Sequence, residues 1–178
     1  MIRLQQLWIV GLFLLLFSCK ELDKLTQFNM PYEASVTIDS SIGIDVPGNF
    51  YSPEIETNSE STFAVNDTRK DLVEEILLTQ MSLELKSPED GDFSFLNEIS
   101  IYMSAEDLDE IKIAWKENIP AEPGKKIEME VSNQDLKAYI KKDKFTLRVN
   151  SVTDEFITQD HEIDIDANFF VDAKVLGL

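Results

Sequence analysis

Residues 161–175 read HEIDIDANFFVDAKV, and the alternation in this stretch decides the fold class. Ile163, Ile165, Ala167, Phe169, Val171, Ala173 and Val175 share one parity, while Glu162, Asp164, Asp166, Asn168, Asp172 and Lys174 hold the other. Successive side chains of a strand point to opposite faces, so this segment has one face suited to a core and one suited to water. A helix would scatter both sets around its circumference. In register the run reaches roughly 44 Å, longer than a usual strand. That length predicts a bulge near Ala167–Asn168, or a strand shared between two sheets.

Working outward, the same period recurs. Val36, Ile38, Ser40, Ile42, Ile44 and Val46 alternate with Thr37, Asp39, Ser41 and Asp45, and Pro47-Gly48 is expected to stop that strand. Phe63 and Val65 read as a short strand. Further strands are expected through Met81, Leu83 and Leu85, and through Phe93, Phe95, Ile99, Ile101 and Met103. Ile111, Ile113 and Trp115 follow, then Ile127, Met129 and Val131, then Phe145, Leu147 and Val149. Ser87-Pro88-Glu89-Asp90-Gly91 and Pro120-Ala121-Glu122-Pro123-Gly124 separate them as turns. Two segments break the period. Leu72, Val73, Ile76 and Leu77 fall at helical spacing behind Asp67, a plausible cap. Leu136, Tyr139 and Ile140 do so behind Ser132 or Asn133, with Lys141-Lys142 suited to a helix C-terminus. The expected class is mainly β: an antiparallel β-sandwich of about eight strands with two short helices.

The chain carries 16 Lys+Arg against 34 Asp+Glu, a formal charge of −18. Nucleic acid needs a basic footprint and is not expected as a partner, nor is a polybasic contact with lipid headgroups. The one cysteine, Cys19, leaves no disulfide, so the fold must rest on hydrophobic burial.

Cys19 closes the opening MIRLQQLWIVGLFLLLFSCK. Arg3 precedes an uncharged apolar run from Leu7 to Phe17, too short for a permanent span but of signal-peptide length. The stretch Leu16-Phe17-Ser18-Cys19 resembles a lipobox, with Phe17 bulkier than usual at its position. The resemblance implies removal of residues 1–18 and lipidation of Cys19 as a bacterial lipoprotein. Residues 19–33 then read as lipidated cysteine and tether, and residues 34–178 as a single β-sandwich domain. Lys20 follows the cysteine where an aspartate would favour inner-membrane retention, so the outer membrane is expected. Lys20-Glu21 is similar to the Bacteroidota export signal of a lysine and two acids, interrupted here by Leu22. Periplasmic and surface faces both stay open.

Candidate site residues are few. His161, the sole histidine, has the buried parity of its strand and lacks soft partners for metal or catalytic work. Asp160, Glu162, Asp164 and Asp166 line one strand face about 7 Å apart, too far to close a calcium shell without a covering loop. Asp90-Gly91-Asp92 lacks the EF-hand spacing and reads as a turn. No nucleophile elbow or phosphate loop is present. Trp115 is in phase with Ile111 and Ile113 and is expected in the core. Phe170 has the parity of the acidic face and is a candidate partner contact.

Phe95-Leu96-Asn97-Glu98-Ile99-Ser100-Ile101-Tyr102-Met103-Ser104, Leu136-Lys137-Ala138-Tyr139-Ile140 and the closing strand together resemble Bacteroidota outer-membrane lipoproteins. That resemblance implies a class and a location, with no activity and no site residues. The expectation is a non-enzymatic lipoprotein without cofactor or metal. It would be held to the membrane by N-terminal acyl chains and serve as a binding or scaffolding module for an envelope protein. The alternative is a carbohydrate- or calcium-binding module.

Overall fold

The computed structural model describes residues 26–40 and 43–174. The signal segment, Cys19, Ser41, Ile42 and Val175 lie outside the described residues. Among the described residues the elements run in chain order as β1 Phe28–Ile38, β2 Pro47–Tyr51, β3 Ile55–Glu56, α1 Ser59–Val65 and β4 Val73–Ser87. Then come β5 Leu96–Ala105, β6 Leu108–Lys116, β7 Lys126–Glu128, β8 Glu130–Val131, α2 Lys137–Ile140, β9 Lys144–Thr153 and β10 His161–Ala173. The fold is mainly β, as the alternation requires, with two antiparallel sheets. The first has the order β1-β10-β4-β7; the second runs β2-β9-β5-β6-β8, with β3 also on β9.

The inner faces meet in one core. Ile163, Ile165, Phe169 and Val171 of β10 lie beside Ile76, Met81 and Leu83 of β4, against Ile99, Ile101, Phe145, Leu147 and Val149 of the second sheet. Tyr32 bridges the two layers. Its ring meets Phe145 of the second sheet at 5.3 Å and Phe169 of the first at 5.5 Å, both edge-on. Its hydroxyl donates to the Thr57 carbonyl at 2.6 Å, and burial pushes its pKa far above the usual phenol value. On the other flank the chain passes between sheets at Met129: β7 pairs with β4 and β8 with β6. The Met129 N–H donates to the Met81 carbonyl at 2.9 Å at the crossing.

β10 keeps strict alternation from His161 to Ala173 and lies between β1 and β4. Its register slips against β4 between Asn168 and Phe169, close to the expected bulge. The extra residue, Thr79, sits on β4, and β10 stays within one sheet.

Several local expectations are corrected. The tether reading of residues 19–33 fails from Phe28 onward, because β1 begins there and pairs with β10 along its length. β1 ends at Ile38, and Ile44 and Val46 are exposed in the following loop. Pro47 opens β2 instead of stopping a strand; as the first residue of an edge strand it needs no ladder N–H. Phe63 and Val65 belong to α1, with Phe63 sealed in the core and Val65 80% exposed. Asp67 caps no helix; it takes a left-handed φ of 53° after α1. Where a helix is expected through Leu72 and Leu77, a turn ends at Leu72 and β4 starts at Val73. Phe93 and Phe95 form a 3-10 turn before β5. The second helix is α2, shorter than expected, and Asp135 rather than Ser132 or Asn133 accepts from its Lys137 N–H at 3.0 Å.

Candidate binding surfaces

Asp92 accepts from the Ser94 N–H at 2.9 Å and so caps the 3-10 turn, the job a turn aspartate does. A Cβ at Gly91 would fall 2.8 Å from Pro88 Cγ and 3.0 Å from Leu85 Cδ2, so a side chain there would have to push these neighbours aside. His161 is buried at the start of β10. Its ring lies 4.1 Å from that of Phe95, and Nδ1–H donates to the Gln159 carbonyl at 3.0 Å. Burial pushes its pKa down, against the raising pull of the Gln159 carbonyl, Asp160 and Glu155.

The acidic strand does not gather into one site. Asp160 precedes β10 and accepts from the Ser40 N–H at 2.8 Å, which holds its carboxyl below the usual range. Asp164 meets the Lys86 ammonium at 3.5 Å, while Glu162 and Asp166 are exposed. Among the described residues no group of three or more His, Cys, Asp or Glu side chains could hold a metal ion. Phe170 stands on the outer face, half-buried, opposite Asn29 on one side and Leu77 on the other.

The most developed surface is the outer face of the second sheet, and a bulge creates it. Ile101 pairs with Ala114 but Tyr102 pairs with Lys112, so Ile113 is an extra residue and both Ile113 and Ala114 turn inward. Trp115 is thereby rotated out of the core, correcting its expected burial. In the sequence, Ala114 between Lys112 and Lys116 was the only sign of this. Across the face, Tyr51 pairs with Arg148, Arg148 with Tyr102, and Tyr102 with Lys112. The neighbouring row holds Asn49, Asn150, Ser100 and Trp115. Strands lie about 4.8 Å apart, so Tyr51 and Tyr102 stand roughly 10 Å from one another.

Hydrogen bonds fix this surface. Arg148 grips Glu110 with both its Nε and Nη2, at 2.8 and 2.6 Å, and also donates to Asn49. Its guanidinium covers the Tyr102 ring at 4.1 Å. The Arg148 hydrogen bond holds the Glu110 carboxyl below the usual range, and the same bond raises the guanidinium pKa. Trp115 Nε1 donates to Glu130 at 3.0 Å, and the Lys112 ammonium sits 5.1 Å from the indole centroid. Tyr51 remains 64% exposed. A preordered mixture of rings, amides and one ion pair can bind, but it offers no nucleophile beside a base.

No family model and no curated protein matches the chain. Among solved structures it is similar to a chain titled Desmodium yellow mottle tymovirus, at 9% identity over 85% of each chain with a TM-score of 0.26. A likeness that slight carries no argument about this protein.

Proposed function

We propose that this chain is a lipid-anchored, non-enzymatic binding module of the bacterial outer membrane that engages an envelope protein through the outer face of its second sheet. The observation that carries the reading is the group Tyr51, Tyr102, Trp115 and Arg148 on one rigid sheet face. These are the residue types that dominate interface energies, because they bring large contact area at small entropic cost. Anchoring rests on Cys19, with at least two acyl chains for stable attachment. Thr26 donates a hydrogen bond to the Ala173 carbonyl, so the described chain starts at one end of the sandwich. The 87–95 and 153–161 loops lie at the opposite end, about 40 Å away along the thirteen residues of β10.

The test is an envelope pull-down with the lipidated protein, run beside Tyr51→Ser, Trp115→Ser and Cys19→Ala. A stoichiometric protein captured by the native chain and lost with Tyr51→Ser plus Trp115→Ser is the expected result. Cys19→Ala should incorporate no labelled lipid, since only that thiol can accept the diacylglycerol. A second reading is favoured by Asn49 and Asn150, whose amides bond each other at 3.0 Å beside the aromatic rows. Rings and amides side by side suit a glycan. Glycan-array binding without a protein partner would select that alternative.

A further inference from the structure

β1 is the last strand at one side of its sheet, and the ladder shows which way its backbone faces. Asn168 of β10 accepts a hydrogen bond from the Thr79 hydroxyl of β4 at 3.0 Å, so its carbonyl points away from β1. In an antiparallel pair the N–H and C=O of one residue point the same way, and the direction alternates along the strand. Pro31, opposite Asn168, therefore turns its backbone outward, the one orientation in which a missing N–H costs no ladder bond. The register with β10 is unbroken, so Glu33, Ser35 and Thr37 turn outward too. Their N–H and C=O groups have no partner among the described residues. Pro31 to Thr37 is thus a free edge about 20 Å long.

The space beside that edge suits a strand. A groove of about 490 Å³ runs between Glu33, Ala34 and Ser35 on one side and the Pro53–Glu56 stretch on the other. Toward the core it presents Ala34 and Ile55, both partly buried. Toward solvent it presents Glu33 and Asp166, which stand directly opposite one another in a close, non-hydrogen-bonded pair. Like charges so placed repel, and neither carboxylate forms an ion pair among the described residues. A strand added to β1 would set alternate side chains beside these acids and the others beside Ala34 and Ile55. Cations answer the first set and small apolar groups the second. A second copy of the chain does not answer them, because it carries −18 and would bring another row of acids to the seam.

We propose that the free edge of β1 takes up an extended segment of another protein by strand addition, one that alternates Lys or Arg with small apolar residues. This surface belongs to the first sheet, and its test is independent of the second-sheet face. The probe is a blocked Lys-Val-Lys-Val-Lys peptide, with Glu-Val-Glu-Val-Glu and a backbone N-methylated copy as comparisons, all at one ionic strength. Amide hydrogen exchange is followed in the full lipidated chain held in nonionic detergent micelles. At a tenfold excess of basic peptide over its Kd, exchange at Glu33, Ser35 and Thr37 should slow by about tenfold. The N-methylated copy should protect none of them, since it lacks the donors that strand pairing needs. Ser35→Pro removes an outward N–H and no ladder bond, as Pro31 already does, and should weaken binding by up to about tenfold. Glu33→Gln with Asp166→Asn should weaken it as well. Asp90→Asn with Glu155→Gln, an equal loss of charge at the far end of the sandwich, should leave the affinity unchanged. No protection of the three amides, equal protection by the N-methylated or acidic peptide, or equal weakening by the distal pair would each overturn the proposal. Protection that grows with protein concentration alone, and is lost with Ser35→Pro, would overturn it in favour of self-pairing.

Discussion

Phe169 and Phe170 are neighbours in the chain with opposite duties. Phe169 is sealed between Tyr32 and Phe145, while Phe170 lies half-buried across from Leu77 on the outer face. Phe169→Ala should cost about 3–5 kcal/mol through lost transfer and cavity terms, and Phe170→Ala clearly less. Denaturant melts of both variants check this; equal losses would mean that the outer face is covered too. His161 gives a pH signature at the same scale. Burial lowers its pKa from 6.5, so on acidification the unfolded chain takes up this proton first. Stability contributed by the neutral ring is therefore full above about pH 6.5 and declines as pH falls to the folded-state pKa, at no more than about 1.4 kcal/mol per pH unit. Below that value it changes no further. The carboxyls of Asp92, Asp135 and Glu110 are held below their usual range and lose their contributions in more acidic solution. His161→Phe should flatten the slope just below pH 6.5 and spare the acidic limb; an unchanged slope would contradict the burial argument.

β4 explains the largest misreading of a secondary-structure element. Its pairing with β10 slips three times, leaving Glu74, Thr79 and Lys86 as extra residues. The slips at Glu74 and Thr79 stretch the apolar spacing from two to three, from Val73 to Ile76 and from Leu78 to Met81, which imitates the step of a helix. Where the bulges stop, Met81, Leu83 and Leu85 return to period two and read correctly. Asp135 secures the irregular start of this strand. Its Oδ1 accepts from Ile76 N–H at 3.1 Å and Lys137 N–H at 3.0 Å, and Oδ2 meets the Lys137 ammonium at 2.9 Å. Desolvation opposes its charge, yet those partners hold the carboxyl below its ordinary range. Asp135→Ala should cost about 1–2 kcal/mol by orphaning two donors, and Asp135→Asn less because an acceptor remains. Urea midpoints of the pair measure the difference.

Over the whole molecule, charge repulsion is spread more widely than its ion pairs can offset. Glu33, Glu54, Glu56, Asp164 and Asp166 line a groove of about 490 Å³ between β1 and the Pro53–Glu56 stretch. Lys144 answers Glu54 and Glu56, at 3.0 and 3.2 Å, and Lys86 answers Asp164. With a formal charge of −18, screening should outweigh the loss of such exposed pairs, which contribute little each. Moving from low to moderate sodium chloride should raise stability by about 1 kcal/mol, roughly 2–4 °C in Tm. Calcium at matched ionic strength should add nothing. A calcium-specific rise abolished by Asp164→Asn plus Asp166→Asn would argue for a cation site instead.

The sequence by itself determined the class of fold, the polarity of β10, and the strands through Leu147 and Ile101. Parity is a local property, and a regular strand writes it directly into the chain. Tertiary structure alone decided where that parity breaks. A bulge exists only in a pair of strands, so the outward turn of Trp115 and the strand character of Val73–Leu78 needed their partners. The Tyr51, Arg148, Tyr102 row likewise comes from three separate strands, and the free edge of β1 from its place in the strand order. What could bind was scattered along the chain; its adjacency came from register.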